Sequence, residues 1–264
     1  MDITTVTILF IVGLIVGTIS SIAGIGGGVF FVVFLTFLFL VPINIAIDTS
    51  TFIIMISSGV GFFYYLKDRR TSLKLTLIYA SFSILGSIIS ILIFLFIEIT
   101  LMLIKVIFAS ILLLAGLNMI YKAYKTKKDS KNSSNEGQDF FFRENVKNHK
   151  IGKGIPLFIL AGFLANFLGI GGGIINTPTL NILLGFPIHY STAISTSIIF
   201  FTAIFNTIYN SFFGQIDYLI GIFVGIGAVS GTIVGAKISD KMPKIYLQFF
   251  VSIVLIGLSI NMFF

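Results

Sequence analysis

The chain has 264 residues, of which 56% are hydrophobic and 10% are charged, and its mean hydropathy is +1.08. Soluble domains carry far more charge, so this composition excludes an ordinary soluble protein and indicates a membrane protein. The net charge of +7 does not indicate nucleic acid, because nine of the 17 basic residues fall in one polar stretch, 122–153. The absence of cysteine excludes disulfides and thiolate metal sites.

Ten apolar segments follow one another along the chain, and most are long enough to cross a bilayer as helices. About 20 helical residues cross a hydrocarbon core of roughly 30 Å, so the second and seventh segments are too short for an untilted crossing. The first segment has neither a basic start nor a cleavage-like end, and we expect it to be part of the mature protein. The segments are 3–23, 28–41, 46–66, 75–97, 101–121, 154–168, 173–186, 190–212, 218–236 and 245–264.

The polar stretch separates two halves that repeat one another. Its Ser, Asn, Lys and Gly content is typical of a solvated linker, so we predict a first transmembrane repeat (1–121), a cytoplasmic linker (122–153) and a second repeat (154–264). Glycine and proline positions recur at an offset of 145 residues, and an Ala-Ile-x-Thr-Ser motif recurs at 147, which indicates an internal duplication. The matches are Gly24–Gly28 with Gly169–Gly173, Gly17 with Gly162, Pro42 with Pro187, Gly86 with Gly231, and Ala46–Ser50 with Ala193–Ser197.

Loop charges predict the orientation, because Lys and Arg collect on the cytoplasmic side. The loops after the third and ninth segments and the central linker are basic, whereas the loops around Glu98 and Asp217 are not. Equivalent loops therefore face opposite sides, as in the inverted repeats of secondary transporters. We predict an all-α polytopic membrane protein of two inverted-topology repeats, each with about five hydrophobic segments, three or five of which cross.

The glycine clusters have two interpretations. Close helix packing is one, because small residues let membrane helices approach. We favour a helix break, because three successive glycines each cost about 1 kcal/mol of helix stability relative to alanine. Irregular backbone inside a membrane has to be buried or line a cavity, and a helix that restarts after Gly28 or Gly173 would present free N–H groups to an anion.

Polar side chains close to the glycines are candidate substrate contacts. Asn176 and Thr177 follow the second cluster, and Pro178 is expected in the first turn of a helix, where its missing N–H is tolerated. The Thr-Ser pairs of the repeated motif, 49–50 and 196–197, are hydroxyl donors in the next helix. Alternatively, these hydroxyls bond only to carbonyls of their own helix, as is common in membrane helices.

Ionisable residues give weaker signals. Asp48 lies near a segment end, where solvation is at least as good an explanation as an intramembrane role, and His189 is expected in a solvated loop. The scarcity of buried acids argues against cation transport. An intramembrane hydrolase has no support, since neither G-x-S-x-G nor a His-Glu-x-x-His motif occurs, and we expect no enzymatic activity, cofactor or metal.

Two glycine clusters, the short segment with Pro178-Thr-Leu180, the paired Ala-x-x-Thr-Ser motifs and the polar middle loop together resemble the TauE/SafE family of sulfite exporters. The resemblance implies a multi-pass cell-membrane permease for small sulfur-containing anions, often an exporter, with about eight spans in total. The first copy departs from the pattern, since Phe31, Val32 and Val33 stand where the second has Asn176, Thr177 and Pro178.

The predicted function is therefore transport, as an exporter, of sulfite or organosulfonates by alternating access around a midplane anion site. The alternatives are a permease for an unrelated small anion or solute and a non-transporting membrane scaffold. The expected partners are the small anion and the lipid bilayer, and the sequence leaves a homo-oligomer open. The predicted substrate-binding residues are Gly26, Gly27, Gly28, Thr49, Ser50, Gly171, Gly172, Gly173, Asn176, Thr177, Pro178, Thr196 and Ser197.

Overall fold

The computed structural model describes residues 2–23, 26–96 and 151–238, with scattered positions between 102 and 120 and between 252 and 260. The described ranges are helical, and we number their α-helices in chain order. A short 3-10 turn, Ile151–Gly154, precedes α5, and a π-helical turn, Thr179–Leu183, extends α6. The helices are α1 (Ile3–Ala23), α2 (Gly28–Phe37), α3 (Ile43–Lys67), α4 (Leu73–Phe96), α5 (Ile155–Leu168), α6 (Gly173–Pro178), α7 (Ile188–Phe213) and α8 (Tyr218–Ile238).

Five of these helices are long and apolar enough to cross a membrane: α1, α3, α4, α7 and α8. Helices α2 and α6 are short, as expected of the segments that follow the glycine clusters. The predicted all-α polytopic fold is confirmed in the described ranges. Most of the fifth and tenth predicted segments and nearly all of the linker lie outside the described residues.

Prolines set the starts of α3 and α7 earlier than the apolar pattern indicated. Pro42 and Pro187 are the residues just before the two helices, with φ of −51° and −54°. Proline fits there because its ring fixes φ and the first helical N–H groups have no intrahelical acceptor. The predicted segments began at residues 46 and 190, so both starts were placed two or three residues too late.

Helices α1 and α8 pack closely and run parallel. A side chain at Gly13 would collide with the carbonyl of Val224, and one at Gly17 would collide with Ala228, so the contacts advance together along both helices. Since membrane helices gain no hydrophobic driving force from lipid, such backbone contact through small residues stabilises their association.

Helices α4 and α5 form a second parallel pair. Gly162 lies against the carbonyl of Ser83, the Ser87 hydroxyl donates to the Gly162 carbonyl over 3.0 Å, and the Asn166 amide donates to Ser90 over 3.3 Å. This pair therefore combines close approach with interhelical hydrogen bonds.

Helices α3 and α7 pack antiparallel between these pairs. Gly59 contacts the ring of Phe200, whereas Thr51, earlier in α3, accepts a 3.3 Å hydrogen bond from Asn210, later in α7. Helix α3 also packs on α8, and α4 on α7. In the predicted repeats, α1 is equivalent to α5, α3 to α7 and α4 to α8. Replacing each helix by its equivalent turns the pair α1–α8 into the pair α5–α4 and leaves the pair α3–α7 unchanged. This pattern fits the predicted inverted repeats, which remain a prediction together with the domain boundaries.

The cysteine-free chain allows a direct test of the inversion. We expect a membrane-impermeant maleimide to label Gln215→Cys on intact cells and to label Ser72→Cys only after permeabilisation, because inverted repeats place the two equivalent loops on opposite sides. The unmodified chain, with no cysteine, measures the background. Labelling of both loops from the same side would contradict the inverted arrangement.

Candidate functional site

Both glycine clusters break the helix. Gly26 and Gly27 have φ of 87° and 72°, and Gly169, Gly171 and Gly172 have φ of 66°, 76° and 75°. This left-handed region is strained for residues with a side chain and accessible to glycine. The predicted break is therefore confirmed at the first cluster (Gly26–Gly28, the first glycine turn) and at the second (Gly169–Gly173, the second glycine turn).

The two glycine turns contact each other. A side chain at Gly28 would collide with the carbonyl oxygen of Gly169 and lie 2.7 Å from the carbonyl carbon of Ile170. Close packing, the second interpretation of the glycines, therefore also applies, at a contact between the two halves. Gly27 and Gly28 of the first turn and all of the second turn are buried, as required of irregular backbone inside a membrane.

Two isoleucines cover the turns. A β-carbon at Gly26 would lie 2.9 Å from Ile199, and one at Gly171 would lie 3.4 Å from both Ile199 and Ile54. Each isoleucine stands eleven residues after the start of its helix, near the middle of α3 or α7. The turns therefore lie at the centre of the two antiparallel helices. Sequence reasoning missed both isoleucines, although they share the 145-residue offset of the glycines.

The helices that restart after the turns have glycine as their capping residue. Gly27 precedes α2 and Gly172 precedes α6, and neither supplies a side-chain hydrogen bond. The first hydrogen bonds back to the caps come from Phe31 over 3.0 Å and from Ile175 over 3.1 Å. The earlier N–H groups have no acceptor within their own helix and are the donors expected to face an anion.

Asn176 is the most unusual polar side chain at the second turn. It is 1% exposed, and neither its amide nitrogen nor its oxygen has a hydrogen-bond partner among the described residues. Either assignment of the two amide atoms therefore leaves one donor and one acceptor buried, each at a cost of about 1–3 kcal/mol. Thr177, beside it, is 4% exposed.

The prediction that Pro178 lies in a first helical turn is wrong. Pro178 is the sixth residue of α6 and stands inside it. Because proline lacks an N–H, it cannot continue the α-helical bonding. The chain widens into the π-helical turn, in which Leu184 donates to the Thr179 carbonyl over 3.0 Å.

The Thr-Ser pair of the first half binds backbone of the second half. The Ser50 hydroxyl lies 2.6 Å from the carbonyl oxygen of Gly169 and 3.0 Å from that of Ile47. The Thr49 hydroxyl accepts a 3.0 Å hydrogen bond from the backbone N–H of Asp217. Ser50 therefore holds the second glycine turn in place, and Thr49 holds the α7–α8 loop.

The pair of the second half bonds mainly within its own helix. Thr196 donates to the Thr192 carbonyl over 3.0 Å, and Ser197 lies 2.8 Å from the Ala193 carbonyl. Ser197 also reaches the Thr71 hydroxyl, 3.1 Å away in the α3–α4 loop. The alternative that these hydroxyls bond to carbonyls of their own helix thus applies to Thr196 and Ser197. Contact of all four Thr and Ser hydroxyls with the substrate stays a prediction.

Residues that could hold a metal do not gather in the described ranges, where no group of three His, Asp or Glu side chains occurs. The glycine turns and α6 offer backbone N–H groups, hydroxyls and the Asn176 amide, without a charged side chain. Such a set can bind a small anion or polar solute through hydrogen bonds.

A family model described as "Sulfite exporter TauE/SafE" matches residues 9–262. The chain belongs to the TauE/SafE family. It is a multi-pass membrane protein of a transporter family, as the resemblance of its motifs implied.

Two relatives carry transporter names. The chain is 32% identical over 198 residues to "Probable membrane transporter protein MJ0441" of Methanocaldococcus jannaschii, a match that covers 73% of this chain and 67% of the relative. It is 30% identical over 205 residues to "Probable membrane transporter protein YunE" of Bacillus subtilis, covering 73% of each chain. No solved structure matches this TauE/SafE protein significantly.

The Ser50 contact can be tested through stability. We expect Ser50→Ala to lower the free energy of unfolding by about 1–3 kcal/mol, because the buried Gly169 carbonyl loses a donor from the other half. Ser57→Ala is the matched control, since Ser57 is also buried in α3 and, among the described residues, bonds only to Ile54 of its own helix. Thermal midpoints in detergent, followed by fluorescence-detected size exclusion, report both variants. Equal midpoints would contradict a special role of Ser50.

Proposed function

We propose that this TauE/SafE protein exports small sulfur-containing anions, such as sulfite or an organosulfonate, by alternating access around the two glycine turns. The observation that carries the proposal is the buried Asn176 amide, whose two polar atoms have no hydrogen-bond partner within the described part of the chain. It lies next to a glycine turn that touches its counterpart from the other half. A buried donor and acceptor without partners at a helix break are an arrangement that a hydrogen-bonding substrate would complete.

The chemistry of the turns favours an anion that is released as readily as it is bound. Residues 26–37 and 169–183 contain no charged side chain, so binding depends on backbone N–H groups, hydroxyls and the Asn176 amide. Transport requires binding that is favourable on entry and weak enough for exit. An arginine would hold a sulfur oxyanion through a charge-assisted bidentate pair, whereas these neutral donors would let it leave.

Helix packing supports a rocking mechanism. The parallel pairs α1–α8 and α4–α5 each join one helix of each half, so each pair can move as a unit. Helices α3 and α7 lie between them and contact the turns at their middles through Ile54 and Ile199. Rocking one pair relative to the other would then alternate access to the turns, as in transporters of inverted repeats.

We further propose that the basic loops and the central linker are cytoplasmic. The α3–α4 loop region carries Lys67, Arg69, Arg70 and Lys74, and α8 ends near Lys237. The positive-inside rule places these residues in the cytoplasm. The α7–α8 loop at Gly214–Asp217 would then face outside.

The substrate proposal is tested by transport in proteoliposomes. We expect saturable flux of radiolabelled sulfite, with competition by thiosulfate, sulfoacetate or taurine ranking the substrates. Saturable flux of an unlike anion or a neutral solute, without any sulfur anion, would overturn the substrate class. Absence of any flux from folded protein would favour a scaffold.

Asn176→Ala tests the site itself. We expect the KM for the transported anion to rise about 10–100-fold, the effect of one lost hydrogen bond to a charged ligand, with little change in thermal midpoint. Asn181→Ala is the matched control, because Asn181 lies in the same broken segment but donates to the Phe186 carbonyl over 2.9 Å. We expect it to lower the midpoint and leave KM unchanged. An unchanged KM in Asn176→Ala would remove this residue from the site.

A further inference from the structure

Asp48 stands out because it is the one acidic residue inside the described helices. It lies in α3, five residues after the helix begins, in a candidate membrane span, and it is partly buried. Ionisable residues in membrane spans are costly and are commonly retained for ion or proton pathways. The proposed anion site does not use this carboxylate.

The carboxylate holds the loop between α7 and α8. Its Oδ2 accepts a 2.8 Å hydrogen bond from the backbone N–H of Gln215, and a β-carbon at Gly214 would lie 2.6 Å from the same oxygen. Within the described part of the chain, no Lys, Arg or His lies at ion-pair distance from Asp48. The Gln215 N–H is therefore the donor that the described residues give this carboxylate, and a proton is the smallest cation that can neutralise its charge.

Few other titratable groups face Asp48 from the elements packed around it. Asp217 is in the same loop, where its carboxylate accepts the Ile220 N–H over 3.0 Å. Tyr218 begins α8 with its ring edge-on to Phe52, and Tyr209 of α7 packs on Phe213. Helix α2 has no titratable residue.

Two hydrogen bonds connect Asp48 with α7 through Thr51. The Asp48 carbonyl accepts a 2.6 Å hydrogen bond from the Thr51 hydroxyl, whose oxygen accepts a 3.3 Å hydrogen bond from the Asn210 amide. Asn206 lies one helical turn before Asn210, is 1% exposed, and its side-chain oxygen has no donor among the described residues.

The same face of α7 reaches the glycine turns. Residues 199, 203, 206 and 210 are spaced three or four apart and lie on one helix face. Ile199, at one end of this face, covers both turns, and Asn210, at the other end, reaches the Asp48 region. The two ends are eleven residues, or about 16 Å, apart along a rigid helix. A change at Asp48 that shifts the end of α7 is therefore transmitted to the turns.

We propose that Asp48 is a proton-binding site that couples transport through this protein to the proton gradient. The inference rests on the proposed transport function. An ionised carboxylate accepts the Gln215 N–H in a charge-assisted hydrogen bond, which is roughly twice as strong as a neutral one. A proton that binds the carboxylate from the aqueous side of the loop weakens this bond and loosens the Gly214–Asp217 loop. Loss of the proton restores the charge-assisted hydrogen bond and fixes the loop again.

The transport test uses Asp48→Asn, which keeps the shape and the acceptor oxygen but cannot bind the proton. Thiosulfate or sulfoacetate is the substrate, because its charge does not change over the pH range used. We expect uphill transport driven by a proton gradient to fall about tenfold, within the range typical of coupling between two sites. Exchange without a gradient should persist and lose its pH dependence, and Asp48→Glu should restore coupling.

Asp217→Asn is the matched control, because it removes the neighbouring carboxylate of the same loop and should leave the proton coupling intact. Gradient-driven transport in Asp48→Asn equal to that of the unaltered protein would overturn the proposal. Loss of coupling in Asp217→Asn, with coupling retained in Asp48→Asn, would overturn it as well.

A second measurement does not depend on transport. In the cysteine-free chain, we expect the maleimide labelling rate of Gln215→Cys in detergent, divided by that of the open position Gly152→Cys, to rise as the pH falls. The ratio should be constant when Asp48→Asn is added. A pH-dependent ratio in a protein that transports no sulfur anion would sink the proposed function and support the proton site. A constant ratio in a protein that does transport would sink only the proton site.

Discussion

A backbone that leaves the helix inside a membrane must be buried in protein or line a cavity, because the lipid offers no hydrogen bonds to its exposed polar groups. The contact between the two glycine turns meets this constraint. Gly28 lies directly against the carbonyl of Gly169, with no room for a side chain, and Ser50 donates to the same carbonyl over 2.6 Å. Each half of the chain thus buries the break of the other, and neither half could keep its break in lipid alone.

The helices around the turns follow from this mutual burial. Since each break needs cover from the opposite half, the halves cannot pack as separate bundles, and the close pairs α1–α8 and α4–α5 join them. The repeated Thr-Ser motif strengthens the same arrangement. Thr49 binds the N–H of Asp217 in the loop of the second half, and Ser197 reaches Thr71 in the loop of the first half. Helix α3 therefore binds the loop that follows α7, and α7 binds the loop that follows α3.

The sequence predicted well those features that depend on local chemistry. Long apolar runs predicted the helices, and three successive glycines predicted the breaks, because both follow from backbone preference. It placed Pro178 wrongly, since where a helix restarts after several glycines depends on which of them takes positive φ. It could not assign Ser50, whose acceptor, Gly169, lies 119 residues away. The Thr-Ser hydroxyls could bond to substrate, to their own helix or to the other half, and only tertiary packing distinguishes these.

The glycine turns carry no charged side chain, so substrate binding at the turns and proton binding at Asp48 would fall to different residues. At the turns, neutral donors would bind an anion weakly enough to release it, and a carboxylate there would repel the substrate. The acidic residue of α3, Asp48, lies between Ile47 and Ser50, both of which contact Gly169 of the second turn. Its carboxylate binds the α7–α8 loop instead, where it accepts the Gln215 N–H. A change at Asp48 can therefore reach the turns along α3, through Ile47 and Ser50, and along α7, through Ile199. Ile199 and Asn210 stand on one face of a single rigid helix, so movement of the loop and movement at the turns are mechanically linked without any charge entering the substrate site.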